Sequence, residues 1–206
     1  AGLLHELVHR SGLGGVPASK VLFFDYDNDG ELDLFAAGYD CRLFRNTASA
    51  FSEVTAAAGL ASATADWSAA AFDYDNDGRL DLYLPNDPQS ALWRNEGDGS
   101  FSERKVVSAG SLSGPVAVNA ADLNGDGAPD IVAFSKMDGR LVWYPNSGAG
   151  SFGAEQAVDA LRHNLTGHIE AADLDGDGDL DLIGSRASQV LWYENTDGAG
   201  SFSAAQ

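Results

Sequence analysis

The chain has 206 residues, 31 acidic against 12 basic side chains for a formal net charge of −19, and one cysteine, Cys41. A single cysteine excludes an intrachain disulfide, and no apolar run reaches the roughly 20 residues a helical membrane span needs. The acidity is concentrated: 17 of the 31 acidic residues fall in four nine-residue segments, leaving 14 acidic against 11 basic residues elsewhere. With no basic stripe to neutralise phosphates, nucleic acid is excluded as a partner.

In chain order, residues 3–8 open the sequence as a short strand, because Leu4 to Leu13 aligns with Phe51 to Leu60 further on. Val21 to Phe24 and Leu32 to Phe35 read as strands on either side of an acidic segment, Asp25 to Asp33. A third run, Leu43 to Asn46, ends in asparagine, and a fourth begins at Phe51. The unit then recurs. Acidic segments start at Asp25, Asp73, Asp122 and Asp173, spaced 48, 49 and 51 residues apart. Their third runs are Leu92-Trp-Arg-Asn95, Val142-Trp-Tyr-Pro-Asn146 and Leu191-Trp-Tyr-Glu-Asn195, each followed by a Gly-rich turn and a phenylalanine at 101, 152 or 202.

Each unit of about 50 residues thus offers four strands, A to D, and residues 1–206 form one repeat domain with units at 16–60, 61–109, 110–160 and 161–206. The expected fold is all-β: a β-propeller of four four-stranded blades, closed by itself or part of a larger propeller. Trp and Phe side chains are expected between blades, with Ala-rich A strands (Ala69 to Ala71, Ala120-Ala121, Ala171-Ala172) lining the axis.

Oxygen ligands at loop positions 1, 3, 5 and 9, with glycine at 6 for the sharp turn, suit a hard cation such as Ca²⁺. The expected ligands are Asp25, Asp27, Asp29 and Asp33; Asp73, Asp75, Asp77 and Asp81; Asp122, Asn124, Asp126 and Asp130; and Asp173, Asp175, Asp177 and Asp181. Position 7 (Glu31, Arg79, Ala128, Asp179) varies freely, as suits a residue that offers only its backbone carbonyl. The loops are not EF-hands, since position 12 is Ala36, Leu84, Ala133 or Gly184 instead of glutamate. Four Ca²⁺ sites are expected, with the third, which has three acidic residues, the weakest. Open carboxylate loops of this kind match extracellular calcium levels, so the chain is expected to be secreted or displayed at a cell surface.

These motifs, Asp-x-Asp/Asn-x-Asp-Gly-x-x-Asp, then Leu-Trp-Tyr/Arg-x-Asn, then Gly-x-Gly-Ser-Phe, resemble the FG-GAP or VCBS repeat, which builds the integrin α-subunit propeller and many secreted bacterial and fungal proteins. The resemblance covers nearly the whole chain. It implies that each acidic loop is the A–B hairpin of a blade, with ligands at the positions above. Propellers of that family have more blades than the four repeats here.

In a propeller the A–B and C–D connections share one face, and the B–C and D–A connections share the other. The first face repeats and the second varies, so recognition is expected on the second, which displays Lys20, Tyr39, Asn86, Lys136, Trp67 and His168. Trp67 and His168 are the candidate ligand-binding residues, with a glycan or an extracellular protein as partner. No hydrolase, metalloprotease or phosphate-loop motif is present, so no enzymatic activity is expected. Glu170, on an inner strand where repeats 1 and 2 carry Leu22 and Ala70, raises a propeller-type polysaccharide lyase as a weaker alternative. A purely structural module that associates with itself through edge strands is the other.

Overall fold

A computed structural model describes residues 18–47, 50–65, 67–86, 89–102, 105–109, 115–137, 139–159, 168–186 and 189–206. Among them are fifteen strands and no helix, hence no helix long and apolar enough to cross a membrane. Repeat 1 forms a sheet in the order β1 (Lys20–Phe24), β2 (Asp33–Ala37), β3 (Arg42–Asn46), β4 (Phe51–Glu53). Repeat 2 does so with β5 (Ala70–Phe72), β6 (Asp81–Leu84), β7 (Gln89–Trp93) and β8 (Lys105–Ala109). Repeat 3 uses β9 (Pro115–Ala121), β10 (Asp130–Ser135), β11 (Leu141–Tyr144) and β12 (Gln156–Asp159).

The fourth sheet has three regular strands, β13 (Ile169–Ala172), β14 (Asp181–Arg186) and β15 (Gln189–Tyr193), where four were expected. The C-terminal segment nonetheless runs antiparallel along β15. Asn195 bridges to Phe202, the Ser203 amide donates to Glu194 O at 2.7 Å, and Gln206 and Trp192 exchange backbone bonds of 2.9 and 3.2 Å. It is a partly formed fourth strand. The strand expected over residues 3–8 lies outside the described residues.

The second strand of each sheet is buried along its whole described length in repeats 1 to 3, which is why Asp33–Ala37, Asp81–Leu84 and Asp130–Ser135 read as continuous apolar runs after their aspartate. Strands covered on both faces lose the in–out alternation of half-exposed ones. The first strands stand side by side, β1 next to β5, β5 next to β9 and β9 next to β13. Between the sheets lie three apolar layers. Phe35, Leu43 and Cys41 pack with Leu82, Leu84 and Trp93 between repeats 1 and 2. Tyr83 and Leu92 meet Ile131, Val142 and Tyr144 between repeats 2 and 3, and Val132, Trp143 and Phe134 meet Leu182 and Tyr193 between repeats 3 and 4.

Trp93 and Trp143 are core residues, but the tryptophans of the third strands do not all occupy one place. Strand register pairs Leu34 with Phe44, Leu82 with Trp93, Ile131 with Tyr144 and Leu182 with Tyr193, so the tyrosines of repeats 3 and 4 are the counterparts of Trp93. Trp143 and Trp192 sit one residue earlier, and a one-residue offset on a strand reverses the face. Trp143 therefore faces the following repeat while Trp93 faces the preceding one.

No ladder joins the fourth sheet to the first among the described residues: the four antiparallel sheets are separate, and no sheet closes on itself. The outer face of sheet 1 carries a small cluster of Leu34, Ala36, Phe44 and Phe51, with Val21 and Phe23 exposed beside it.

Candidate functional site

Each acidic loop is a compact turn held by its own carboxylates. Positions 4 and 6 adopt left-handed backbone: φ is +57° and +56° at Asn28 and Asn76, +71° and +83° at Gly125 and Gly176, and +85° to +97° at the four position-6 glycines. Only glycine takes this conformation without strain, with asparagine next, and those are the residues found. The bend turns successive amides inward. The position-1 carboxylate collects the amides of positions 5 and 6: Asp25 at 3.1 and 2.9 Å, Asp73 at 3.0 and 2.7 Å, and Asp122 at 3.1 and 2.9 Å. Asp173 instead receives Gly176 and Gly178 at 2.8 and 3.2 Å.

Position 9 is the buried anchor. Asp33, Asp81, Asp130 and Asp181 are at most 1% exposed. One oxygen of each accepts the position-2 amide, from Tyr26, Tyr74, Leu123 or Leu174, at 2.9 to 3.2 Å. The other accepts the amide of the asparagine ending the third run, Asn46, Asn95, Asn146 or Asn195, at 2.7 to 2.8 Å. Desolvation outweighs these bonds and lifts Asp81 to about 7 and Asp130 to about 6, with Asp33 also raised.

A carboxyl raised in the fold above its ordinary 3.8 stabilises below that value and loses the contribution as pH climbs through the folded value. Protein freed of divalent ions should thus melt higher at pH 5 than at pH 8. Saturating calcium, which favours the ionised form, should reverse the order. Differential scanning calorimetry at the two pH values, with and without the ion, checks this; the same order in both conditions would refute it.

The asparagines also join the repeats, a role the sequence reading left unassigned. Asn95 Nδ2 donates 2.8 Å to Tyr26 O of the preceding repeat and 3.1 Å to Leu80 O of its own; Asn146 does the same to Tyr74 O (2.8 Å) and Pro129 O (2.9 Å), and Asn195 to Leu123 O (2.9 Å) and Leu180 O (3.3 Å). The Tyr26 ring stacks on Phe101 and that of Tyr74 on Phe152, at 6.2 and 6.4 Å. Acidic loops 1 to 3 are therefore each held by the C–D turn of the next repeat.

The donor set fits a hard cation. Three carboxylate groups have oxygens within 4.8 Å of one another: Asp25, Asp27 and Asp29; Asp73, Asp75 and Asp81; and Asp173, Asp175 and Asp177. Loop 3 forms no such carboxylate group among the described residues; Asn124 stands at its third position, and its amide oxygen accepts the Asp126 amide at 3.0 Å. Asp27 Oδ1 and Asp75 Oδ1 are buried with no hydrogen-bond partner, a costly arrangement unless something electropositive meets them. Position-7 side chains diverge: Glu31 is exposed, Asp179 is half-buried, Ala128 is buried, and Arg79 Nε donates 3.0 Å to Asn95 O.

A second feature lies where the inner strands meet. A cavity of about 190 Å³ is bordered by residues of all four repeats, with Leu22, Ala70, Asn119 and Glu170 at the same register position of β1, β5, β9 and β13. Asn119 Nδ2 donates 2.6 Å to Glu170 Oε2, and His168 Nε2 lies 2.8 Å from Glu170 Oε1. Lys20 joins them on the lining. His168 thus reaches the cavity, whereas Trp67, 51% exposed, is not part of its lining.

The sequence model of the FG-GAP-like repeat matches three times, over residues 25–84, 73–133 and 122–184. A comparison with curated proteins finds no match. Among solved structures the chain is similar to an Agrocybe aegerita lectin that specifically recognises non-reducing terminal N-acetylglucosamine, with 22% identity and a TM-score of 0.68 over 94% of this chain and 54% of that one. It is also similar to BBS1N, solved in complex with ARL6DN, with 15% identity and a TM-score of 0.58 over 92% of this chain and 56% of that one. The chain spans about half the length of each.

Proposed function

The chain belongs to the FG-GAP-like repeat family, and on that premise we propose that it is a non-catalytic, calcium-bound β-propeller module that recognises glycans outside the cell. The observation that carries the calcium half is the pair of buried, partnerless oxygens of Asp27 and Asp75, each set among carboxylates of its own loop. In this reading the residues at positions 1, 3, 5 and 9 hold four ions, with the position-7 carbonyl completing each set.

Support for recognition comes from the fold it shares with a glycan-binding lectin and from the face where the inner strands begin. There Trp67 is exposed, and the cavity presents Glu170 and Asn119 with Lys20 and His168. Such a mixture of apolar ring and hydrogen-bonding groups suits a sugar. On a glycan array the calcium-loaded chain should bind N-acetylglucosamine-terminated glycans. Trp67→Ala should weaken binding about tenfold or more, or 1.4 kcal/mol per decade, without moving the melting temperature. An unchanged array profile for Trp67→Ala would remove that residue from the site.

The alternative, a structural module that assembles with copies of itself, is favoured by the apolar outer face of sheet 1, where Val21 and Phe23 are exposed. It predicts a rise of mass with concentration in the absence of any glycan.

A further inference from the structure

The four loops share a ligand pattern but not their counter-charges. In repeat 1, Arg45 on β3 places Nε 2.7 Å from Asp27 Oδ2 and Nη2 3.0 Å from Asp29 Oδ2, tying positions 3 and 5 together. In repeat 2, Arg94 does the same to Asp75 Oδ2 and Asp77 Oδ2, both at 2.7 Å, and Arg79 adds a second guanidinium on Asp77 Oδ2. The residue before the conserved-register asparagine is Pro145 in repeat 3 and Glu194 in repeat 4, neither of which can supply a positive charge. Loop 4 packs five acidic residues into nine positions, and backbone amides donate to its carboxylates.

Carboxylates this close repel one another, and a guanidinium bridging two of them offsets that repulsion through charge-assisted bonds. The bridge also sorts the oxygens. Arg45 and Arg94 take Oδ2 of Asp27 and Asp75 and leave Oδ1 of each inside the loop. We propose that Arg45 and Arg94 are resident counter-cations that keep loops 1 and 2 folded without a bound ion, whereas loop 4 depends on one. This rests on the calcium reading above. It also revises the order expected from acidic residues alone: with two arginines against four carboxylates, loop 2 gains less from an ion than loop 3 does.

Hydrogen exchange by mass spectrometry on the whole chain, calcium-loaded and then stripped of divalent ions, tests it. Removing the ion should speed exchange over residues 173–181 about tenfold or more and leave residues 73–81 within about threefold. Arg94→Gln should make residues 73–81 respond as loop 4 does, and Glu194→Arg should blunt the response of residues 173–181. Should Arg94→Gln fail to fold, Arg45→Gln gives the same readout over residues 25–33. Calcium binding by calorimetry with all loops responding alike would overturn the arginine inference and leave the calcium reading standing. No calcium binding and no response anywhere would overturn both.

Discussion

Stripping divalent cations should lower the melting temperature by about 10–20 °C. An ion that binds the folded chain alone contributes RT ln(1 + [L]/Kd), about 1.4 kcal/mol per site at tenfold excess over Kd, so four sites contribute roughly 5–6 kcal/mol. A chain of this size shifts by about 2–4 °C per kcal/mol. The physical source is the crowding of 17 acidic residues into four short loops, felt most in loop 4, where five carboxylates meet no arginine bridge of the kind seen in loops 1 and 2. Calorimetry with and without chelator measures the effect. Calcium should restore the lost stability, and magnesium should do so poorly, because it demands tight octahedral geometry and keeps its waters. A melting curve indifferent to chelation would end the case for structural calcium.

Asn146→Ala should cost about 3–5 kcal/mol, since it leaves Tyr74 O, Pro129 O and the Gly148 amide without their side-chain partner in a site only 1% exposed, and each such loss costs about 1–3 kcal/mol. The midpoint should fall by roughly 10–15 °C. Denaturant unfolding measures the loss, and a cost below about 1 kcal/mol would show that the inter-repeat bond is not what makes Asn146 matter.

Much of this was legible in the sequence, because a metal-type loop fixes both spacing and residue type. Asp at positions 1, 5 and 9 with glycine at 6 announces a sharp turn, and the apolar runs on either side of it announce strands. The family match confirms the repeat that these residues spelled out. Residue type misled at the third strand. Trp93, Trp143 and Trp192 look alike, yet register makes Tyr144 and Tyr193 the counterparts of Trp93, and nothing in a tryptophan states which face of a strand it occupies. The arginine bridges were hidden for another reason. Arg94 and Asp75 are 19 residues apart, and only the hairpin geometry brings them into contact. The junction asparagines were visible as a recurring letter, but their partners lie 69 to 72 residues back along the chain.

Those junctions have an evolutionary consequence. What Asn95, Asn146 and Asn195 grip in the preceding repeat is a main-chain oxygen, belonging to Tyr26, Tyr74 and Leu123 respectively. A carbonyl is present whatever the side chain, so this bond asks nothing of the accepting repeat's sequence beyond the loop shape that its own carboxylate–amide bonds already enforce. Gene duplication can then lengthen the array, or recombination exchange its members, without matched changes on both sides of this bond. The variable face is left free to diverge while the joint stays the same.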